Sequence, residues 1–132
     1  DHRVPTSLQA TAAEFIGNGH LGTHIRRTRL LYAERRAALL SAISAAGSGL
    51  LSVATAATGL HLLAGLPDAC DDQTLVAAAR QRQIGAAPLS GFFVAPPETK
   101  RQGLLMGFGN TRPEAMPGAV QTLCSLIEDS TR

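Results

Sequence analysis

The sequence predicts an α+β fold, in which helices pack on one face of a small, mostly antiparallel sheet. The first observation is the order of the predicted elements: helix, helix, strand, strand, helix, strand, strand, helix. That order is typical of an α+β layer. The second observation is the composition. Of 132 residues, 45% are hydrophobic and 17% are charged, which suits one compact domain with a core.

The chain begins with two predicted helices. The first runs from about Thr6 to Gly17 and has an apolar face that needs a partner. The residues of that face are Leu8, Ala12, Phe15 and Ile16. The second helix runs from about Leu21 to Ala46, because apolar residues recur along it at helical spacing. Glycine-containing segments follow both helices and end them. A helix at the start of a chain that opens on Asp1 favours a piece of a longer protein.

The rest of the chain predicts four strands and two helices. The segment LLSVATAATGLHLLAGLP predicts two strands around a turn rich in alanine and threonine, and Pro67 ends the second. Asp71 or Asp72 can cap a helix that runs to about Arg82. A short strand, IGAAPL, and a buried strand, GLLMGFG, flank the loop SGFFVAPPETKRQ. Pro113 lies at or near the first turn of the last helix. The predicted inner face of that helix is Val120, Leu123, Cys124 and Ile127.

The second helix carries a concentration of positive charge. Its segment HIRRTRLLYAERR contains five arginines and one glutamate. Glu34 has no arginine three or four residues away, so the usual helical ion pair is missing and the arginines are expected to face water, phosphate or acidic groups elsewhere. The net charge is only +2, and four Phe, one Tyr and no Trp argue against a base-stacking surface. Two interpretations stay open, a solvated amphipathic face and a docking face for a missing partner domain.

Three histidines give a weak signal for a metal site. His20 and His24 lie four residues apart, but the zinc-protease pattern requires a glutamate where Leu21 stands, and no third ligand is near. Both are expected to have a structural role at the start of the helix. His61 lies between two leucines and is expected at a partly covered interface. No metal site is predicted.

Other motifs for chemistry are incomplete. GFGNTR lacks the third glycine of a dinucleotide-binding loop, and no G-x-S-x-G segment is present. Two cysteines, Cys70 and Cys124, are too few for a disulfide framework. We therefore expect both to be reduced thiols in a cytoplasmic protein. No signal peptide or membrane-length apolar run is found, so no membrane partner is expected.

Several segments together resemble a known family. They are LQATAAEFIGNGHLGTHIRRTRLLYAERRAALLSAI, GLHLLAGLP, GAAPLSGFF and GLLMGFG, in that order. This arrangement resembles the C-terminal part of the MocR/GabR-type transcriptional regulators, from Leu8 to about Glu128. Those regulators join an N-terminal winged helix-turn-helix of the GntR type to an aminotransferase-like domain of fold type I. The later segments are shared more loosely with stand-alone aminotransferases.

The resemblance implies a division of the chain and a set of partners. Residues 1–20 correspond to a connecting helix from the large subdomain, and residues 21–132 to the small C-terminal subdomain. The family binds pyridoxal phosphate through a lysine that would lie upstream of Asp1, so no catalytic or cofactor-binding residue is expected in this chain, and Lys100 is not expected to replace that lysine. The expected partners are the large subdomain and a dimer partner, in a homo-oligomer whose N-terminal winged helix contacts DNA.

The resemblance also implies two effector-binding residues. In typical aminotransferases of this fold, the strand that resembles GLLMGF carries an arginine that pairs with the substrate carboxylate. The matching position here is Leu105, and a leucine cannot make that bidentate pair. Arg101 could reach in from the preceding loop. The alternatives are that the effector is not a simple amino acid, or that no transamination occurs.

The sequence therefore predicts a non-catalytic fragment of a regulator's effector-binding domain, and leaves open whether the parent is an enzyme. The alternative is the same subdomain of a stand-alone, fold-type I aminotransferase. A third possibility, a self-sufficient interaction domain, would require a native start near Asp1.

Overall fold

The structure is a computed structural model that describes residues 4–46, 49–54, 59–94 and 101–131. The chain divides into two compact units, Asp1–Ala33 and Glu34–Arg132. Within the described residues, the predicted order of helices and strands is confirmed. The helices are α1 Thr6–Gly17, α2 His20–Ala46, α3 Asp72–Gln81 and α4 Met116–Ser130, and the strands are β1 Ser52–Val53, β2 His61–Gly65, β3 Ala87–Pro88 and β4 Gly103–Gly107.

The four strands form one antiparallel sheet in the order β1-β2-β4-β3. In the register between the two central strands, Leu62 is opposite Met106 and Ala64 is opposite Leu104. Successive side chains of a strand point to opposite faces, so these four share one face. All four are buried. The predicted α+β fold with a mostly antiparallel sheet is confirmed, because all three pairs of neighbouring strands are antiparallel.

The buried face of the sheet forms a core with α3 and α4. The helices supply their apolar faces, since each buries residues at helical spacing. The buried residues are Leu75, Val76 and Ala79 of α3, and Met116, Val120, Leu123, Cys124 and Ile127 of α4. The predicted inner face of the last helix is therefore confirmed. The second half of α2 contributes Leu39, Ala42 and Ile43.

The ends of α3 follow from local chemistry. The side chain of Asp71 accepts a hydrogen bond from the backbone N–H of Thr74 at 2.8 Å, which caps the first turn. At the other end, the N–H of Ile84 donates to the carbonyl of Ala79 at 3.0 Å, and Gln83 has a φ of 61°. This is a Schellman motif in which a glutamine occupies the left-handed position that usually favours glycine.

Two boundaries differ from the prediction. The strand predicted over IGAAPL is only two residues long, Ala87–Pro88, and the following segment turns into a 3-10 helix, Leu89–Phe92. Pro113 lies in a second 3-10 turn, Pro113–Ala115, that leads directly into α4. The predicted turns at residues 47–48 and 55–58, the proline pair and Lys100 lie outside the described residues.

Candidate functional site

The face of the sheet opposite α3 and α4 holds the first predicted effector residue. Leu104 and Met106 point toward the helices and are buried, so Leu105 between them points to the opposite face. There the register sets Leu105 beside Leu63 of β2 and Ala87 of β3. Leu105 is half-buried on this apolar surface, which we call the open face.

The second predicted residue, Arg101, precedes the same strand and is exposed. The next side chain, Gln102, is buried on the helix side, where its Oε1 accepts a hydrogen bond from the backbone N–H of Asp72 at 2.7 Å. Alternation therefore directs Arg101 to the side of Leu105. Arg101 also lines an open groove of about 430 Å³ together with Leu63 and Leu89. A carboxylate in that groove would meet the cation of Arg101 beside an apolar wall, and it would also share the groove with Asp68.

Asp72 lies under this region as a buried acceptor. Its carboxylate accepts hydrogen bonds from Ser90 Oγ at 2.6 Å, from the N–H of Ser90 at 2.9 Å and from the N–H of Gly103 at 3.2 Å. The sequence predicted Asp71 or Asp72 only as a helix cap. Because Asp71 makes the cap, the carboxylate of Asp72 is available for the segment that precedes β4.

The arginine-rich part of α2 is not uniformly solvated. Arg35 is half-buried and donates a hydrogen bond from Nη1 to the backbone carbonyl of Gly109, after β4. Its Nε is buried and has no hydrogen-bond partner among the described residues. The expectation that these arginines face water or an absent partner is therefore wrong for Arg35, because this side chain fastens the helix to the loop after the strand. Arg27 and Arg29 are exposed.

The predicted histidines do not come together as metal ligands. His20 lies against Phe15, with ring centroids 5.6 Å apart, and His24 Nε2 is 3.5 Å from Thr28 Oγ1. His61 is exposed at the start of β2. Within residues 4–46, 49–54, 59–94 and 101–131, no group of three or more His, Cys, Asp or Glu side chains could hold a metal ion.

Both cysteines are buried, free thiols. Burial raises the pKa of the Cys124 thiol above its usual value, and the nearby carboxylate of Glu128 raises it further. A thiol held in its neutral form is a poor nucleophile, which agrees with the expectation that Cys124 is a packing residue. Cys70 accepts a hydrogen bond from Ser130 Oγ at 3.2 Å.

Sequence reasoning missed Asp72 and Arg35, and only one of the two left a usable signal. Two adjacent acids, Asp71 and Asp72, stand where a helix needs a single cap, so the second acid was free for another role. Nothing local marks Arg35 among five arginines, because its acceptor, the carbonyl of Gly109, lies 74 residues away.

No protein-family model matches this chain, but curated relatives match more than nine tenths of it. The chain is 34% identical over 125 residues to the probable rhizopine catabolism regulatory protein MocR of Rhizobium meliloti, which covers 94% of this chain and 25% of the relative. It matches a fragment of a MocR-type regulator. A second relative, the uncharacterized HTH-type transcriptional regulator YhdI of Bacillus subtilis (strain 168), is 28% identical over 91% of this chain. The predicted resemblance to MocR-type regulators is confirmed.

Solved structures establish the fold of this chain. The multiple substrate aminotransferase of Thermococcus profundus superposes with a TM-score of 0.80 at 24% identity, over 92% of this chain and 30% of that one. The kynurenine aminotransferase of Pyrococcus horikoshii gives 0.81 at 19% identity, over 94% and 30%. The fold is therefore aminotransferase-like. The chain spans a quarter of the length of the curated relatives. None of the described helices is both long and apolar enough to cross a membrane.

Proposed function

We propose that this chain is the small C-terminal part of the effector-binding domain of a MocR-type, DNA-binding transcriptional regulator, and that it is not catalytic by itself. The observation that carries the proposal is the match to MocR over 94% of the chain, although it spans only 25% of that regulator, together with an aminotransferase-like fold. The remaining three quarters would supply the large subdomain and, at the N-terminus, a winged helix that contacts DNA. Residues 1–20 would then be the connecting helix, and residues 21–132 the small subdomain.

The cofactor proposed for the longer protein is pyridoxal phosphate, which would supply electrophilic chemistry toward amines. We expect the residues that hold this cofactor to lie in the rest of the longer protein, as the resemblance to MocR-type regulators implies. The single lysine of this chain, Lys100, lies outside the described residues. The residues of this chain are therefore assigned to effector binding alone. Arg101 would bind a carboxylate, and Leu105, opposite Leu63 on the same face of the sheet, would extend the apolar surface.

The first experiment tests this assignment in the longer regulator. The absorbance of the bound cofactor is followed while amino acids are added to wild type, Arg101→Ala and Leu105→Arg. We expect Arg101→Ala to abolish the response and to leave cofactor binding intact. Leu105→Arg should strengthen the binding of a plain amino acid, since an arginine can pair with the carboxylate through two parallel hydrogen bonds.

The same titration can contradict the assignment of Arg101 and Leu105 to the effector site. If the wild-type regulator converts common amino acids rapidly and neither substitution changes the response, Arg101 and Leu105 do not form the effector site. In the 132-residue chain alone, added pyridoxal phosphate should give no saturable absorbance change. A saturable change that Lys100→Ala removes would show that this chain holds the cofactor itself.

The alternative is the small subdomain of a stand-alone aminotransferase, since the two solved structures with this fold are aminotransferases. A winged helix encoded upstream in the same gene decides for the regulator. Its absence there decides for the aminotransferase.

We also propose a homo-oligomer in a cytoplasmic setting. Large apolar side chains of the unit Asp1–Ala33 are exposed, and contiguous apolar patches of several hundred Å² commonly mark association surfaces. We therefore expect the 132-residue chain to sediment as a dimer or larger. Replacing Leu8 and Ile16 by glutamate should shift it toward the monomer, whereas wild type that stays monomeric at high concentration would contradict the proposal.

A further inference from the structure

The buried carboxylate of Asp72 connects three segments of the chain. Asp72 begins α3, and its side chain has no exposed surface. One carboxylate oxygen, Oδ2, accepts hydrogen bonds from the backbone N–H groups of Ser90 and Gly103, and Oδ1 accepts from Ser90 Oγ. An ionised carboxylate only accepts hydrogen bonds, so all three donors must be brought to it. The 3-10 helix Leu89–Phe92 and the start of β4 therefore meet at this side chain.

This contact works in both directions. The backbone N–H of Asp72 donates to Gln102 Oε1 at 2.7 Å, while the carboxylate accepts from the N–H of the next residue, Gly103. Within the described residues, the groups that donate hydrogen bonds to the carboxylate are neutral. Burying a charge is costly unless such donors compensate it. A role in capping does not explain this arrangement, because Asp71 caps α3.

The close packing at Gly103 leaves the strand little freedom. A Cβ atom at this position would lie 3.0 Å from the carbonyl oxygen of Ala64 and 3.1 Å from Cδ2 of Leu89. Asp72 holds the N–H of Gly103 from the helix side, and Leu89 packs on the same residue. Gln102 is held on the helix side as well, so the preceding Arg101 must point to the open face.

We propose that Asp72 is a positioning residue for the effector site. Its carboxylate holds the backbone N–H groups of Ser90 and Gly103, and its backbone N–H holds the side chain of Gln102. This arrangement sets the direction in which Arg101 meets the effector and the place of Leu89 beside it. The assignment of an effector site at Arg101 rests on the proposed function. The linkage between Asp72 and the two segments rests on the hydrogen bonds alone.

The first test measures that linkage in the 132-residue chain by amide hydrogen exchange. Asp72→Ala removes the acceptor of three donors, and we expect the amides of Ser90 and Gly103 to exchange roughly 10-fold faster or more, relative to the amides of α4. Asp72→Asn keeps one carbonyl oxygen for the two N–H groups, and its NH2 can donate to Ser90 Oγ. Exchange in the asparagine variant should therefore stay close to wild type.

Two further variants keep the test decisive. Ser90→Ala removes only the hydroxyl group and can be used if Asp72→Ala does not fold. It should accelerate exchange of the amide of residue 90, but by less than the loss of the whole carboxylate would. Glu114→Gln, in the exposed turn before α4, is the matched control for removing one negative charge and should change neither amide. Unchanged exchange at Ser90 and Gly103 in both Asp72→Ala and Ser90→Ala would overturn the proposed linkage.

The second test measures positioning in the longer regulator. The probe is whichever of the twenty common amino acids changes the cofactor spectrum of wild type most. We expect Asp72→Ala to raise the half-saturating concentration of this amino acid roughly 10-fold or more and to leave the affinity for the cofactor unchanged. In Asp72→Asn, the half-saturating concentration should return to the wild-type value. If the half-saturating concentration rises equally in both variants, the charge of Asp72 acts on the effector and its hydrogen bonds do not. That result would overturn the proposal that Asp72 is a positioning residue. An unchanged half-saturating concentration in Asp72→Ala overturns it too.

The two proposals fail in different ways. If no amino acid changes the spectrum of wild type and Arg101→Ala behaves like wild type, the effector site of the proposed function is wrong, and positioning of Arg101 toward an effector is overturned with it. If wild type and Arg101→Ala behave as proposed and Asp72→Ala still responds like wild type, only the role of Asp72 is wrong.

Discussion

The two units of this chain differ in how they use their apolar residues. Among residues 4–33, no side chain is buried, and Leu8 and Leu30 are 59% and 75% exposed. Among the described residues from 34 onward, the sheet, α3, α4 and the second half of α2 enclose a core in which Leu104 and Ile127 have no exposed surface. Both regions contain apolar residues at helical spacing, but only the second unit supplies opposing surfaces to cover them. Amphipathic pattern alone therefore does not show that a helix has its partner within the same chain.

The largest expected effect contrasts one leucine from each region. Leu104→Ala removes a fully buried side chain from the center of the sheet and should lower the free energy of unfolding by about 2–5 kcal/mol. Leu30→Ala makes the same chemical change at a 75% exposed position and should change it by less than about 0.5 kcal/mol. Urea denaturation of both variants gives the comparison. Equal losses would show that Leu30 is covered in solution, by another copy of the chain.

A middle-sized effect contrasts two arginines of the same helix. Arg35→Ala leaves the carbonyl of Gly109 without its charged donor and should cost about 1–3 kcal/mol. Arg29→Ala, at an exposed position, should be within about 0.5 kcal/mol of wild type. The measurement is again the denaturant midpoint, at two salt concentrations. If both variants lose the same stability, Arg35 is only one member of a solvated face.

The smallest effect concerns pH and Cys124. Burial and Glu128 raise the pKa of this thiol in the folded state. The folded chain therefore retains the proton after the unfolded chain has lost it, so the stabilisation is present below the unfolded pKa and is lost as pH rises through the folded pKa. We expect the free energy of unfolding to fall as pH rises above about 8.5, the usual thiol value.

The control for the pH effect is Cys124→Ala. This variant should be less stable than wild type at neutral pH, but its stability should fall less steeply between neutral and alkaline pH. If the slopes of the two proteins are equal, Cys124 does not titrate in this range of pH and the slope has another source.

Much of the fold was predictable because it rests on local patterns. The limits of α1, a helix cap at Asp71 or Asp72 and the inner face of α4 follow from residue types and helical spacing, and the structure agrees with each, with Asp71 as the cap. The short strand Ala87–Pro88 was predicted too long, because the turn after it is held by hydrogen bonds from Ser90 to Asp72, 18 residues away. A pairing at that separation leaves no periodic trace in the sequence.

The sequence by itself determined the order of the elements, the antiparallel sheet and the resemblance to MocR-type regulators, because periodicity, capping residues and shared segments are all local. Tertiary structure decided which polar residues became internal. Asp71 and Asp72 are identical and adjacent, yet one caps a helix at the surface and the other has no exposed surface beneath β4. Arg35 and Arg29 are likewise the same residue type on the same helix, yet of these two only Arg35 donates a hydrogen bond from its side chain to a backbone carbonyl. A buried polar group must find its partners wherever the fold brings them, and those partners lie 18 to 74 residues away.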